Sequence, residues 1–199
     1  MTAIAPAPHD TASAGAAPSD WVRRWSHLVP ARARVLDLAC GQGRHMQWFA
    51  SLGHPVVGID RSAPAIACAA QHGRGVLADI ENGPWPLYLE NGRIETFAAV
   101  VVTNYLWRAL FERIRDSLEP GGVLIYETFA SGQETIGRPA RAEFLLQPGE
   151  LLRAFGDLRI VAFEDGFVDA PARFVQRIVA VKPGPSSESA SQPMRYLLP

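Results

Sequence analysis

The stretch Arg34-Val-Leu-Asp-Leu-Ala-Cys-Gly-Gln-Gly-Arg44 constrains this chain more than any other, because a short apolar run passes straight into a turn with two glycines and then into a helix. Val35, Leu36 and Leu38 have the near-continuous apolar character of a parallel strand covered on both faces. Gly41 and Gly43 let the backbone turn sharply and lie close to a ligand, where side chains would stand in the way. The helix that follows runs from about Arg44 to Ser51, stops at Gly53 and aims its N-terminal amides at the same place. Strand, glycine turn and helix N-terminus in this order predict a nucleotide-type site.

A dinucleotide fingerprint needs a third glycine, G-x-G-x-x-G, for close helix–strand packing. Counting from Gly41 places Met46 at that position, so the reading as a nucleotide-dependent oxidoreductase is the weakest of those open to this turn. Read from Asp37, the run is Asp-x-Ala-x-Gly-x-Gly. That resembles the first motif of the class I S-adenosylmethionine-dependent methyltransferases, an acidic residue followed by three alternating glycines. Ala39 departs from the pattern at its first glycine by a single methyl group.

With 199 residues, 48% of them apolar, the chain can bury one ordinary core rather than two. Residues 1–19 and 183–199 share an Ala/Pro/Ser-rich composition and are expected to form a disordered leader and a flexible tail around a folded domain at 20–182. No apolar run has membrane-spanning length, and the first twenty residues lack Arg and Lys, so neither a membrane nor a targeting peptide is expected. Cys40 and Cys68 are too few for a disulfide scaffold or a cysteine-built zinc site, which makes a reducing cytoplasm the expected location. No histidine pair has metal-ligand spacing, so no metal is assigned. His45 reads as a surface histidine without a function. The formal net charge of −1, with the two signs interspersed, gives no reason to expect a nucleic-acid partner. Oligomeric state is not legible.

Apolar runs and breakers alternate in a regular order. Strands are expected at Arg34–Leu38, Val56–Ile59, Gly75–Ala78, Ala98–Thr103, Val123–Glu127, Leu158–Phe163 and Val175–Val181. Ser62 can cap a helix through Ala70, and Leu106, Leu110, Ile114 and Leu118 mark one helical face ending at Pro120-Gly121-Gly122. A helical turn or two is expected at Glu150–Phe155. Trp21, Val22 and Trp25 lie at helical spacing and either pack over the ligand or pack against a sheet edge. This alternation predicts an α/β fold, a Rossmann-like seven-stranded and mostly parallel sheet with helices on both faces and a ligand crevice at the carboxyl ends of the central strands. The last two runs lack a helix between them, so a hairpin with an antiparallel last strand is expected. The methyltransferase fold ends in such a pair.

Asp60 stands twenty-three positions after Asp37, near the spacing at which an acid meets ribose hydroxyls in nucleotide folds. Each acid at a strand end is also what a turn-forming Asp would be. Three of them in register with the glycine turn favour the ligand. The resemblance implies that S-adenosylmethionine is the cofactor. Asp37 would accept from its ammonium directly or through water, Asp60 from its ribose, and Asp79 from the adenine amino group, with Ile80 against the ring. Ala39, Cys40, Gly41, Gly43, Arg61 and Asn104 complete the implied cofactor set. The resemblance also places Asn104, Tyr105, Trp107 and Arg108, just past the fourth strand, beside the reacting centre. Tyr105 and Trp107 can equally cap the core. Asn104-Tyr105-Leu106-Trp107 lacks the paired prolines of enzymes that methylate exocyclic nitrogens.

If the acceptor needs deprotonation, Tyr105 and Glu127 are the candidate catalytic residues, because both sit at the active edge. The long run from Phe129 to Gln147 is expected to be a lid or substrate-selecting loop, or else a solvated loop without a role. Tyr126-Glu-Thr-Phe129 and Phe144-Leu-Leu-Gln-Pro-Gly-Glu-Leu-Leu152 resemble the small bacterial group that includes tellurite-resistance-type and thiopurine-type methyltransferases. The resemblance implies methyl transfer to a small-molecule acceptor. The alternative is a cofactor-binding module, or a partner subunit, without catalysis of its own.

Overall fold

The computed structural model describes residues 17–184 and 195–199. Most of the expected leader and most of the expected tail therefore lie outside the described residues, but Ser19, placed at the end of the leader, is buried and its side chain accepts from the Trp21 N–H at the start of the first helix. Tyr196, in the tail, is half-buried against the core, and a His27 ring nitrogen hydrogen-bonds the Leu197 carbonyl at 3.0 Å.

Seven strands form one sheet: β1 (Val35–Leu38), β2 (Val56–Asp60), β3 (Arg74–Leu77), β4 (Phe97–Thr103), β5 (Leu118–Phe129), β6 (Arg159–Asp169) and β7 (Ala172–Val181). The order across the sheet is β3-β2-β1-β4-β5-β7-β6. The first five strands are parallel, and β7 runs antiparallel to both β5 and β6. Strand order therefore reverses between β1 and β4, and the crevice above that point is where open α/β sheets bind ligands.

Side chains alternate along each strand. Val35, Ala99, Val101, Ile125 and Val179 pack on one face under α1 (Asp20–Trp25), α2 (Arg44–Ser51) and α3 (Ala63–Ala69), with Trp21, Trp25, Met46 and Phe49 among the partners. Leu36, Leu38, Val100, Leu124 and Tyr126 pack on the other under α4 (Phe111–Asp116) and α5 (Glu150–Ala154). On the first face the apolar rows give way at the carboxyl edge to Asp37, Thr103, Glu127 and Arg177, each two residues from an apolar neighbour and so on the same side. Among the described residues no helix is long and apolar enough to cross a membrane.

Three expectations need correction. The helix with its face from Leu106 to Leu118 is shorter: residues after Thr103 stay non-helical, a 3-10 turn at Arg108–Leu110 leads into α4, and Leu118 already pairs with Phe97. Buried Tyr126 donates its hydroxyl to the Tyr105 carbonyl, which occupies the backbone group a helix would have used. The final hairpin is longer, because β6 and β7 extend toward each other until only Ala170 and Pro171 separate them. That extension is mostly exposed, so it lacks the apolar alternation that would have marked it. The run after Phe129 is folded rather than structureless. Leu146 bridges Ala130, 3-10 turns form at Gln133–Thr135 and Ala142–Phe144, and Phe144, Leu145 and Leu146 are buried.

Candidate functional site

Ala39 (φ 54°), Gly41 (φ 55°) and Gly43 (φ 86°) all take left-handed backbone at the end of β1. For Ala39 this geometry costs about 1–2 kcal/mol, the kind of strain that gathers at ligand sites. A Cβ on Gly41 would meet nothing within 4 Å, so the space above the turn is open to a ligand. Gly43 is small for another reason: a Cβ there would stand 2.8 Å from the Ala69 Cα, so its role is to admit α3. The Cys40 side chain turns into the core, and burial, then the nearby Asp37 charge, pushes its thiol pKa up. Only its backbone is left to face a ligand. The missing third glycine has a counterpart one strand away, where a Cβ on Gly58 would stand 2.2 Å from the Met46 Sδ. Bulk on the helix is matched by its absence on β2.

Beside the turn lies a shallow recess, open to solvent and lined by Ala39, Asp60, Arg61, Ala78, Asp79, Ile80, Glu81 and Tyr105. Asp60 and Asp79 thus share one hollow. Buried Asp60 accepts from the Gly41 N–H through Oδ2 (2.9 Å) and from the Ser62 N–H through Oδ1 (2.8 Å). Each oxygen keeps a lone pair for a further donor, as a ribose diol would provide. Asp79 is exposed and does shape a turn, since Oδ1 accepts from the Glu81 and Asn82 N–H groups and Oδ2 from the Asn82 amide. The Asn82 amide, ahead of the opposing effect of burial, holds its carboxyl below the usual range. Its turn and its place on the recess coexist.

Glu81 was not marked by any sequence pattern. Its nearly buried carboxylate lies 3.9 Å from the Arg61 guanidinium, and its charge acts on the Tyr105 hydroxyl. The pair Arg61–Glu81 ties the loop after β2 to the loop after β3 across the recess.

Asp37 is 1% exposed and sits beneath the turn, not on the recess wall. Burial pushes its pKa up to about 7; Arg44 lowers it, Asp60 raises it, and a hydrogen bond from the Met46 N–H lowers it. Asp37 Oδ2 has no hydrogen-bond partner. An unsatisfied buried carboxylate oxygen is costly and calls for a cationic or hydrogen-bonding partner. His45, expected at the surface, is also 1% exposed. Its Nε2 accepts from the Ser19 N–H at 3.1 Å, and Nδ1 lies 3.4 Å from Thr103 Oγ1 and 4.0 Å from Asp37 Oδ1. Burial first, then Arg44, pushes its pKa down to about 3, so the ring is neutral.

Asn104 adopts φ 53°, an uncommon geometry that Asn tolerates better than most residues, and its N–H donates to the Glu127 carbonyl at 2.9 Å. Tyr105 lines the recess, and burial, reinforced by the Glu81 charge, drives its hydroxyl pKa well above the usual range. It is a neutral wall and hydrogen-bond donor there, not a ready base. Glu127 has no exposed surface: Oε1 accepts from Ser19 Oγ (2.8 Å) and lies 3.5 Å from Arg173, while Oε2 lies 2.7 Å from Arg177 Nε. To serve as a base this carboxylate would have to leave both guanidiniums. Trp107 packs against the core. Arg108 faces away from the reacting edge; it grips Glu150 (2.6 and 2.9 Å) and donates to the Glu143 and Leu145 carbonyls, fastening the 129–147 excursion. A second hollow of about 240 Å3 opens in that excursion between Ser131, Glu134, Ala140, Ala142, Leu145 and Gln147. Among the described residues no group of His, Cys, Asp or Glu is arranged to hold a metal.

Comparison with known proteins agrees with this geometry. Residues 35–122, from the glycine-turn strand to the start of β5, match the family model of a methyltransferase domain. A malonyl-[acyl-carrier protein] O-methyltransferase of Pectobacterium atrosepticum is 35% identical over 113 residues, 53% of this chain and 43% of that protein. Among solved structures, TehB from Haemophilus influenzae superposes with a TM-score of 0.66 at 19% identity, over 84% of this chain and 63% of the other. A TehB-like SAM-dependent methyltransferase from Corynebacterium glutamicum gives 0.62 at 21% identity, over 86% and 91%. The chain thus spans less than half the length of the curated relative, and the structures establish a shared fold.

Proposed function

We propose that this chain, with a methyltransferase domain at 35–122 and the class I methyltransferase fold around it, binds S-adenosylmethionine and transfers its methyl group to a small-molecule acceptor. The observation that carries the reading is the common recess of Asp60 and Asp79 beside the open turn at Gly41, at the point where strand order reverses. The residues fit the cofactor. Asp60 has lone pairs to receive two ribose hydroxyls, Asp79 Oδ2 has one for an exocyclic amine, and Ile80 offers an apolar face to a base. Asp37 Oδ2 supplies the unmet acceptor that an ammonium group would satisfy.

When bound, the cofactor supplies a methyl group on a positively charged sulfur, ready for in-line displacement. The protein's part is then to orient the acceptor and exclude water, and holding two reactants in line supplies much of the acceleration. Asn104, strained at the end of β4, and the Tyr105–Trp107 segment border the place where an acceptor would sit. No step is assigned to Glu127 or Tyr105 as a base, because the first is bound to two arginines and the second is held protonated. An acceptor that already carries a reactive lone pair suits such a site. The chain's interspersed charge supports a small molecule over a nucleic acid.

Isothermal titration should show S-adenosylmethionine binding that Asp60→Ala weakens by about 30-fold or more, since two hydrogen bonds to a charged acceptor are lost. Absence of binding by the wild-type chain at millimolar cofactor would refute the reading. The engagement of Glu127 and Tyr105 favours one second reading, a cofactor-binding module without turnover. Release of S-adenosylhomocysteine in a screen of thiols, amines and oxyanions would exclude it.

A further inference from the structure

The buried polar layer above β1, β4 and β5 contains one side chain to which the proposed reaction gives no task. His45, in the first turn of α2, stands between Asp37 and the start of α1. The Ser19 N–H can only donate, so Nε2 must accept, and a neutral ring then carries its proton on Nδ1. That N–H points toward Thr103 Oγ1 and Asp37 Oδ1. It cannot turn around without leaving the Ser19 amide unpaired in a buried setting, which would cost about 1–3 kcal/mol. Asp37 thus has the Met46 N–H as a donor and the His45 Nδ1–H, engaged with Thr103, 4.0 Å from Oδ1 on the same side, while Oδ2 is left without a partner.

We infer that His45 is a positioning residue for the amino-acid end of the cofactor: it fixes the rotation of the Asp37 carboxylate so that Oδ2 is presented to the ligand's ammonium group, and its own orientation is set by Ser19 at the start of α1. The inference rests on the cofactor reading above and deepens it. It also explains why a neutral ring is needed here. A charged imidazolium beside Asp37 would compete with the ammonium for the same carboxylate, and burial beside Arg44 prevents that charge from forming. Asp60 and Asp79, which would hold the nucleoside half, take their hydrogen bonds from Gly41, Ser62, Glu81 and Asn82 rather than from His45, Ser19 or Thr103.

The two halves of the ligand can be tested apart. S-adenosylhomocysteine carries the amino-acid end, whereas 5′-methylthioadenosine lacks it and keeps the nucleoside. His45→Phe removes both ring nitrogens at similar volume, His45→Gln keeps a polar group near the Nε2 position, and His45→Asn keeps one near Nδ1. By calorimetric titration, S-adenosylhomocysteine affinity is expected to fall about tenfold in the Phe and Gln variants, as for loss of one charge-assisted hydrogen bond. It should recover to within about threefold of wild type in the Asn variant, with methylthioadenosine affinity unchanged throughout. Equal losses for both ligands would make His45 a packing residue, and unchanged affinities would remove its role; either result overturns the inference. Should the Phe variant fail to fold, the Gln and Asn variants still decide it by their ratio. A wild-type chain that binds neither ligand would instead refute the proposed function.

Discussion

The carboxyl edge of the sheet is built in two contrasting halves. Above β1, β2 and β3 the structure is open: Gly41 faces free space, and Asp60 is fastened by backbone N–H groups that leave its outer lone pairs available. Above β4, β5 and β7 it is closed: Glu127 is sealed under Ser19 and two arginines, and the segment after β5 folds back with three consecutive buried residues. The open half is preformed for one constant ligand, since its donors come from main chain that cannot rotate away. The closed half is filled by the protein's own charges, so whatever binds there meets the strained Asn104 and the aromatic segment after it rather than a free acid or base.

The sharpest way to break this contrast is Glu127→Ala. If Glu127 holds the closed half together, its removal takes the acid from half-buried Arg173 and leaves half-buried Arg177 with Glu164 alone, and about 3 kcal/mol of stability should go with it. For a chain this size that is a fall in melting temperature of about 10 °C by calorimetry. Cofactor affinity measured well below the transition should change by less than about threefold, because the nucleoside recess lies elsewhere. A variant of normal stability with turnover abolished would show instead that the closed half does the chemistry.

A smaller effect tests the junction between the halves. Asp37 titrates near 7 without ligand, facing Asp60, Arg44, the neutral His45 and the Met46 N–H. An ammonium bound to its carboxylate favours the deprotonated form, so below pH 7 binding must release a proton. Affinity should then rise about tenfold per pH unit from pH 5 to 7, level off, and decline above about pH 8 as an α-amino group loses its own charge. His45, with its pKa near 3, stays neutral across that window. Asp37→Asn should bind more weakly and flatten the acidic limb; an unaltered slope would place the ammonium elsewhere.

The smallest effect concerns the open half alone. Ala39→Gly relieves a left-handed alanine at some cost in unfolded-chain entropy, and a net gain of about 0.5–1 kcal/mol, or a few degrees in melting temperature, is expected. A loss would mean that the alanine methyl packs usefully against the core face built on Leu36, Leu38 and Val100.

The open half was the legible one. Its acids stand at the ends of apolar runs, one after each strand, and its glycines punctuate a turn, so spacing along the chain reports position in space. The closed half was not legible, because its members come from residues 19, 45, 103, 127, 173 and 177, far apart in sequence and joined only by sheet register and helix packing. His45 looked superficial because nothing in Arg44-His45-Met46 shows that Ser19 will cover it. Glu127 looked like a base for the opposite reason: its place near the end of β5 was correctly read, but Arg177 reaches it only through the antiparallel register, and Arg173 lies on a part of β7 before the expected strand. The resemblance set Arg108 beside the reacting centre, whereas its guanidinium reaches 42 residues on to Glu150.

The interlock of Met46 with Gly58 has a bearing on how such a chain can change over time. A thioether fills the notch that a neighbouring strand leaves open, so a side chain at 58 collides unless the helix first gives up its bulk. The two sites are bound to move together, smaller residue first, and a pattern search that inspects only the turn will overlook half of the pair.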